Sequence, residues 1–554
     1  IQQEAASGDI TLLPQKTNLI YQTSLIYCFN DEQSLYYIDK EFNFYAFHIP
    51  TQKNEFIANL GKEIQERGKI SSIVHYHNSY FVGFLMDGIL LLEKQKETNH
   101  YQIQSLPINS GVFCLKKDRF QDVVWIGTDG QGVYLYSNPL YSIKSMVLSN
   151  YTEKIERPVR AIYLDDERTF WVGTKGNGIL KIYDYEFDKN ISDCRAEVLT
   201  TSNSALSSNA VYCFAKSHRN LLWIGDEEGL TYYSYREKRI KSIPIRIGNE
   251  DFKYIHDIYE TADSELWLAS VGMGVVKARI AGTPDNPVIV DAQRYIINDG
   301  ELGSNYFFTI YAENEANLLF GNKGYGVFRY NETTNGLEPV STHKYENMTL
   351  NNILAISKDS SNNYLFGTSY GLIKYTSETS YQLFNAKNGF LNNTIHAILR
   401  NSSDDFWLST NLGLINFDTK RNVFRSYGFG DGLKVVEFSD GAGFRDSRTG
   451  TLFFGGINGV VAIRADGRPE QLYMPPVYFD KLSIFGEQYN LGEFLTRKKE
   501  TEVLNLQYDQ NFFSVSFASV DYLNGNNCTY FYKLKGLSDQ WVNNGSESGV
   551  SFTN

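Results

Sequence analysis

Short apolar runs separated by polar turns recur along most of this chain, too short and too evenly spaced to be helices. One unit opens with a run such as VRAIYL from Val159 or IHAIL from Ile395, followed by a polar turn, DDERT from Asp165 or NSSDD from Asn401. Next comes an aromatic-Gly segment, then a tight Gly turn, then a run rich in Tyr, Ile and Val; a less regular segment, such as VFRSYGF from Val423, closes the unit. Runs of this length bounded by turn residues read as β-strands, and four short antiparallel strands per period make one propeller blade.

The aromatic-Gly segment makes the repeat visible. It reads VVWIGTDGQGVYLY from Val123, TFWVGTKGNGILKIY from Thr169, LLWIGDEEGLTYYS from Leu221 and ELWLASVGMGVVKAR from Glu265. It continues as LLFGNKGYGVFRY from Leu318, YLFGTSYGLIKY from Tyr364, DFWLSTNLGLINFD from Asp405 and LFFGGINGVVAI from Leu452. Weaker copies start at Tyr80 and, without the glycines, at Ser34, which makes about ten units spaced roughly 41 to 53 residues apart. The glycines serve a turn that needs positive φ or close backbone approach. The aromatic series Trp125, Trp171, Trp223, Trp267, Phe320, Phe366, Trp407 and Phe454 recurs in every unit, which points to packing between neighbouring blades rather than to a ladder for ligands.

Counting units sets the architecture. Seven consecutive ones, starting near Pro158, Asn209, Tyr254, Tyr306, Asn351, Thr394 and Gly441, suffice for one seven-bladed ring. Three more, beginning near Ser24, Ile70 and Gly111, cannot close a ring and read as part of a second propeller. After Ala462 the grammar changes: alternation in FFSVSFASV and YFYKL marks antiparallel strands with one buried face, as in an Ig-like sandwich. The expected all-β organisation is therefore a partial propeller over 1–150, a seven-bladed β-propeller over 151–470, and an Ig-like module over 471–554 that stops too early to complete such a domain.

Composition narrows the function. Among 554 residues, 39 Tyr, 36 Phe and 6 Trp favour pleated, half-buried surfaces, and 12 prolines argue against a disordered linker. A net charge of −12 without a dense Lys/Arg run speaks against nucleic acid and against an anionic membrane surface. Cys28, Cys114, Cys194, Cys213 and Cys528 are odd in number, far apart and without a CxxC pair, so neither a disulfide framework nor a zinc site is expected. Cys28, Cys114 and Cys213 fall within first strands and read as small buried hydrophobes. No apolar run is long enough to span a bilayer, and a chain that opens on Ile1 without a signal segment is expected to be processed or a fragment.

The sequence shows no convergent set of catalytic groups. His75 and His77 lie two apart without further ligands, and the Asp-rich turns (Asp165, Asp166, Asp359, Asp404, Asp405) fall where carboxylates cap backbone. No EF-hand, phosphate-binding loop, G-x-S-x-G elbow or sialidase-type S-x-D-x-G-x-x-W turn is present, so no cofactor, metal or catalytic residue is expected. Because strand direction alternates, the start of the first strand and the loop between strands two and three share one rim. The first position offers Arg160, Tyr212, His256, Phe308, Leu354 and His396; the loop offers Lys175, Asn177, Glu227, Lys323, Tyr325, Tyr370 and Asn411. Of these, Arg160, Lys175, Asn177, Tyr212, His256, Lys323, Tyr325 and His396 are the candidate ligand-binding residues, because aromatics interleaved with amides and cations suit sugar rings. Arg160, Lys175 and Lys323 would together suit a uronate or sulfate.

The WIGT-x-G-x-G blades, the stretch NAKNGFLNNTIHAILRNSSDDFWLSTNLGLINFD from Asn385 and the stretch FGDGLKVVEFSDGAGFRDSRTGTLFFGGINGV from Phe429 resemble the regulator-propeller repeats of Bacteroidetes hybrid two-component sensors. The stretch from Tyr508 to Trp541 is similar to the three-tyrosine module that ends those sensor regions. The resemblance covers most of the chain from about Gly111 onward. It implies a periplasmic receptor region that binds an oligosaccharide, pairs as a homodimer through its sandwich and controls polysaccharide-utilisation genes. The parent protein would be a histidine kinase/response regulator in the inner membrane, anchored by segments outside this chain. A propeller-fold glycan lyase or hydrolase, which needs carboxylate or Tyr/His machinery in one funnel, and a protein-binding scaffold are the alternatives.

Overall fold

Apolar alternation becomes sheet almost everywhere in the computed structural model, which describes residues 2–3, 10–11, 25–30, 33–95, 100–137, 141–150, 155–297, 305–340, 351–377, 379–390, 392–431, 433–465, 475–490, 492, 495–498, 501–522, 530–534, 536, 540–545 and 547–553. The chain forms two compact units, Ile1–Pro139 and Leu140–Asn554.

The second unit contains seven four-stranded antiparallel sheets whose innermost strands are Val159–Leu164, Val211–Lys216, Ile255–Glu260, Phe307–Asn314, Ile353–Lys358, Ala397–Arg400 and Phe438–Arg445. The first six sheets run outward in chain order. The seventh takes its outermost strand, Tyr141–Val147, from before the first sheet, paired antiparallel with Gly459–Ala465. The expected boundary near residue 150 thus lies beyond the strand that joins the two ends of the ring.

Seven hydrophobic clusters, one between each pair of neighbouring sheets, hold this cycle together. Phe170 and Val172 of the first sheet pack with Phe453 and Val460 of the seventh, which closes it. Trp171, Trp223, Trp267 and Trp407 are fully buried in these seams, as are Phe320, Phe366 and Phe454. Trp125, in the first unit, is only half-buried. The turns between second and third strands use positive φ as expected: Gly413 sits at φ +129°, and a Cβ there would lie 2.0 Å from the Tyr427 carbonyl oxygen. On the opposite rim the Asp-rich turns cap backbone. Asp165 accepts from Thr169 N and from the Trp171 indole at 2.9 Å, and Asp404 takes Ser360 of the neighbouring sheet.

The first unit has two four-stranded sheets and a three-stranded one, Val112–Lys117, Val123–Thr128 and Val133–Ser137. A short helix, Gly61–Arg67, which no periodicity announced, joins the first sheet to the second. Cys213 is buried as expected, whereas Cys28 and Cys114 are exposed although they lie in strands. The C-terminal module is a four-stranded sheet with two separate two-stranded ribbons. Its core of Leu482, Ile484 and Val515 is small, and the described residues do not build a second full layer. No helix among the described residues is long and apolar enough to cross a membrane.

Candidate functional site

A β-bulge recurs at the start of the innermost strands. Pairing with the second strand skips one residue after Val159, Val211, Ile255, Phe307 and Ile353, and the residues left out are Arg160, Tyr212, His256, Phe308 and Leu354. A bulge unpairs one residue and re-aims its side chain. In the sixth sheet His396 immediately precedes the strand and its N–H bonds to the Ser409 carbonyl. In the seventh the irregularity is longer, from Phe438 to Gly443, and contains Asp440. One local device, repeated by sheet, therefore delivers a set of side chains to a shared mouth.

These side chains touch in sequence around the mouth. His396 Nε2 lies 2.6 Å from Asn411 Oδ1 and its Nδ1 lies 2.5 Å from Asp440 Oδ1. Arg160 Nη1 donates to Asp440 Oδ2 at 3.4 Å, and its guanidinium stands 6.0 Å from the Tyr212 ring centre. Tyr212 stacks on His256 with ring centres 4.3 Å apart and 19° between planes, and Phe308 meets His256 edge-on at 5.7 Å. Six of the seven sheets contribute to this chain of contacts, while Leu354 of the fifth is buried.

The electrostatics fix the charge of His256 and of Asp440. Burial first, then Arg160 and Lys175, push His256 down to about 3, so it is neutral at physiological pH. Asp440 is held at about 2: burial pushes it up, but the His396 hydrogen bond and the charges of His396 and Arg160 outweigh that. Both nitrogens of His396 face oxygen partners, Asp440 and Asn411. The buried Nε of Arg160 has no partner. Such a mouth offers a π-platform, one fixed cation and one fixed anion, suited to gripping a polar ligand.

Asp226, at the same rim, carries a testable linkage. Burial raises it from an ordinary 3.8 to about 6, against hydrogen bonds from Ser207, Glu228 N, Gly229 N and Thr231. Its ionised form is thus disfavoured in the fold, so it lowers stability progressively as pH rises from about 4 to about 6. In Asp226→Asn, Oδ1 still faces the two N–H groups, and Nδ2 faces hydroxyls that accept. This variant should change unfolding free energy little at pH 4 and raise it by about 1–3 kcal/mol at pH 7. Denaturant melts at the two pH values check this.

Of the rim residues expected from sequence, Arg160, Tyr212, His256 and His396 are brought together. Lys175 is exposed and close enough to His256 to act on its charge. Asn177 Oδ1 accepts from Glu156 N and Arg157 N. Lys323 lies over the Tyr306 ring at 5.9 Å, and Tyr325 packs half-buried against the cluster around Trp267 and Phe320. Asp440, which links two of the expected residues, was missed. Among the described residues no group of His, Cys, Asp and Glu is arranged to hold a metal.

No protein-family model matches the chain. It is 24% identical over 403 residues to histidine kinase P4 of Formosa agariphila, a match covering 69% of this chain and 28% of that protein. The chain thus spans under a third of the length of that curated relative. In three dimensions it resembles the extracellular domain of the hybrid two-component system BT3049 of B. thetaiotaomicron, with a TM-score of 0.56 and 22% identity over 95% of this chain and 74% of that one. The extracellular domain of BT4673 from the same organism matches with a TM-score of 0.47 and 17% identity, over 98% of this chain and 72% of that one.

Proposed function

We propose that this chain, which shares its fold with an extracellular domain of a hybrid two-component system, is the ligand-sensing region of such a system and binds an oligosaccharide at the mouth of the seven-sheet ring. The observation that carries the reading is the bulge series. It places a stacked Tyr212–His256 pair beside the Arg160–Asp440–His396 chain, an aromatic face next to charged and amide groups. A sugar presents a C–H face that stacks on an aromatic ring and hydroxyls that pair with polar groups. With His256 neutral, its ring donates to and accepts from hydroxyls without a charge to desolvate.

In this reading the parent is an inner-membrane sensor histidine kinase of the periplasm that controls polysaccharide-utilisation genes. The C-terminal module pairs two copies, and ligand shifts the balance between two arrangements only through its differential affinity for them. Calorimetric titration of a panel of purified neutral and acidic oligosaccharides tests it. One member should bind, and Tyr212→Ala should weaken that binding at least tenfold, in line with the loss of about 1.4 kcal/mol or more. Turnover of the bound sugar, or affinity unchanged by Tyr212→Ala and Arg160→Ala, would refute the proposal.

A further inference from the structure

A second, separate recess lies on the outer flank of the ring, with a volume of about 730 Å³ between the outer halves of the first and second sheets. The tip of the third sheet's long hairpin, at Asn286 and Pro287, forms one end. Its size falls within the range of small-ligand sites, but its lining does not suit an apolar ligand. The floor is a caged ammonium. Lys181 is 4% exposed, stands 4.5, 4.9 and 4.6 Å from the ring centres of Trp171, Tyr183 and Tyr233, and pairs with Glu197 at 3.2 Å. The wall is the strip Lys238, Arg239 and Lys241.

Charge is unbalanced here. Four cations, Lys181, Lys238, Arg239 and Lys241, face two carboxylates, Glu197 and Glu237, and Glu237 already takes both Arg239 and Lys241. The Lys238 side chain has no acidic partner among the described contacts. On a chain of net charge −12 this is a local reversal of sign. A positive recess on a negative surface concentrates anions. An extended acidic peptide is disfavoured. Asn286 accepts from Tyr232 and Lys241 across the edge of the second sheet, and Pro287 offers no N–H for strand pairing.

We propose that this flank recess is a secondary site for an anionic polysaccharide segment. Its carboxylates or sulfates meet Lys238 and Arg239, and its hydroxyls meet Ser242, while Asn203 and Ser204 hold the adjoining turn through bonds to Val198 O and Thr200 O. It would hold polymer near the sensor independently of the axial mouth. Affinity electrophoresis in gels containing polygalacturonate, dextran sulfate, neutral dextran or poly-glutamate decides. Retardation of the wild type by polygalacturonate or dextran sulfate is expected, with none by neutral dextran. Lys238→Ala/Arg239→Ala should reduce it at least fivefold, whereas the charge-matched Lys40→Ala/Lys69→Ala, on the other unit, should leave it intact. The proposal falls if neither anionic polysaccharide retards the wild type, if both double variants lose equal retardation, or if only poly-glutamate retards.

Discussion

Replacing Trp223 by alanine is expected to lower the stability of the seven-sheet ring by about 3–5 kcal/mol, with the further loss of a buried hydrogen bond. Trp223 has no solvent exposure and lies in the seam between the second and third sheets. Its indole N–H donates at 2.7 Å to Glu260 of the third sheet, a carboxylate with a side chain 1% exposed that also accepts from the His218 N–H. Alanine opens a cavity between sheets and leaves Glu260 short of a donor. Trp223→Phe separates the two contributions in part, because it keeps much of the ring packing while removing the N–H. It should cost about 1–3 kcal/mol. Trp125→Ala, at a half-buried position with a bond to Asp118 of its own sheet, should cost clearly less. Denaturant midpoints of the four proteins check the order. Equal midpoints for Trp223→Ala and Trp125→Ala would remove the seam role assigned to the aromatic series.

That seam was legible in the sequence because packing between sheets demands the same residue class at the same phase of each repeat. A periodic signal survives even where Trp becomes Phe, as at Phe320 and Phe366. The bulge residues were legible for the same reason: Arg160, Tyr212 and His256 occupy one phase although their chemistries differ. Asp440 escaped because the seventh repeat carries a longer irregularity between Phe438 and Gly443, which shifts its phase. The closing strand Tyr141–Val147 escaped because it carries no glycine signature and completes a sheet whose other strands lie some three hundred residues later. Cys28 and Cys114 were misread because their strands lie in the first unit, where the innermost strands remain partly exposed. The local bonding of Asn177 was not legible, because a loop amide looks alike in sequence whether its oxygen faces open space or, as here, caps Glu156 and Arg157.

Asp440 is where binding and stability meet, so its removal should be felt in both. Asp440→Ala deprives Arg160 of its carboxylate and frees His396 Nδ1 at once, at side chains only 13% and 10% exposed. Breaking a buried pair from one side costs about 3–5 kcal/mol, and the 27% exposure of Asp440 places the expected loss at the lower end, about 3 kcal/mol. The linkage has a definite sign. A carboxyl held at about 2 instead of 3.8 stabilises the fold above pH 4, and that contribution, about 2 kcal/mol, is lost as pH falls from about 4 to about 2. The wild type should therefore lose stability in that window more steeply than Asp440→Ala does. In a double-mutant cycle with Arg160→Ala the two changes should couple by about 1–2 kcal/mol, because each removes the other's partner. Additive losses would mean that Arg160 and Asp440 act separately. The mouth would then lack the fixed cation that Asp440 holds in position for the ligand, and the oligosaccharide reading would lose its polar half.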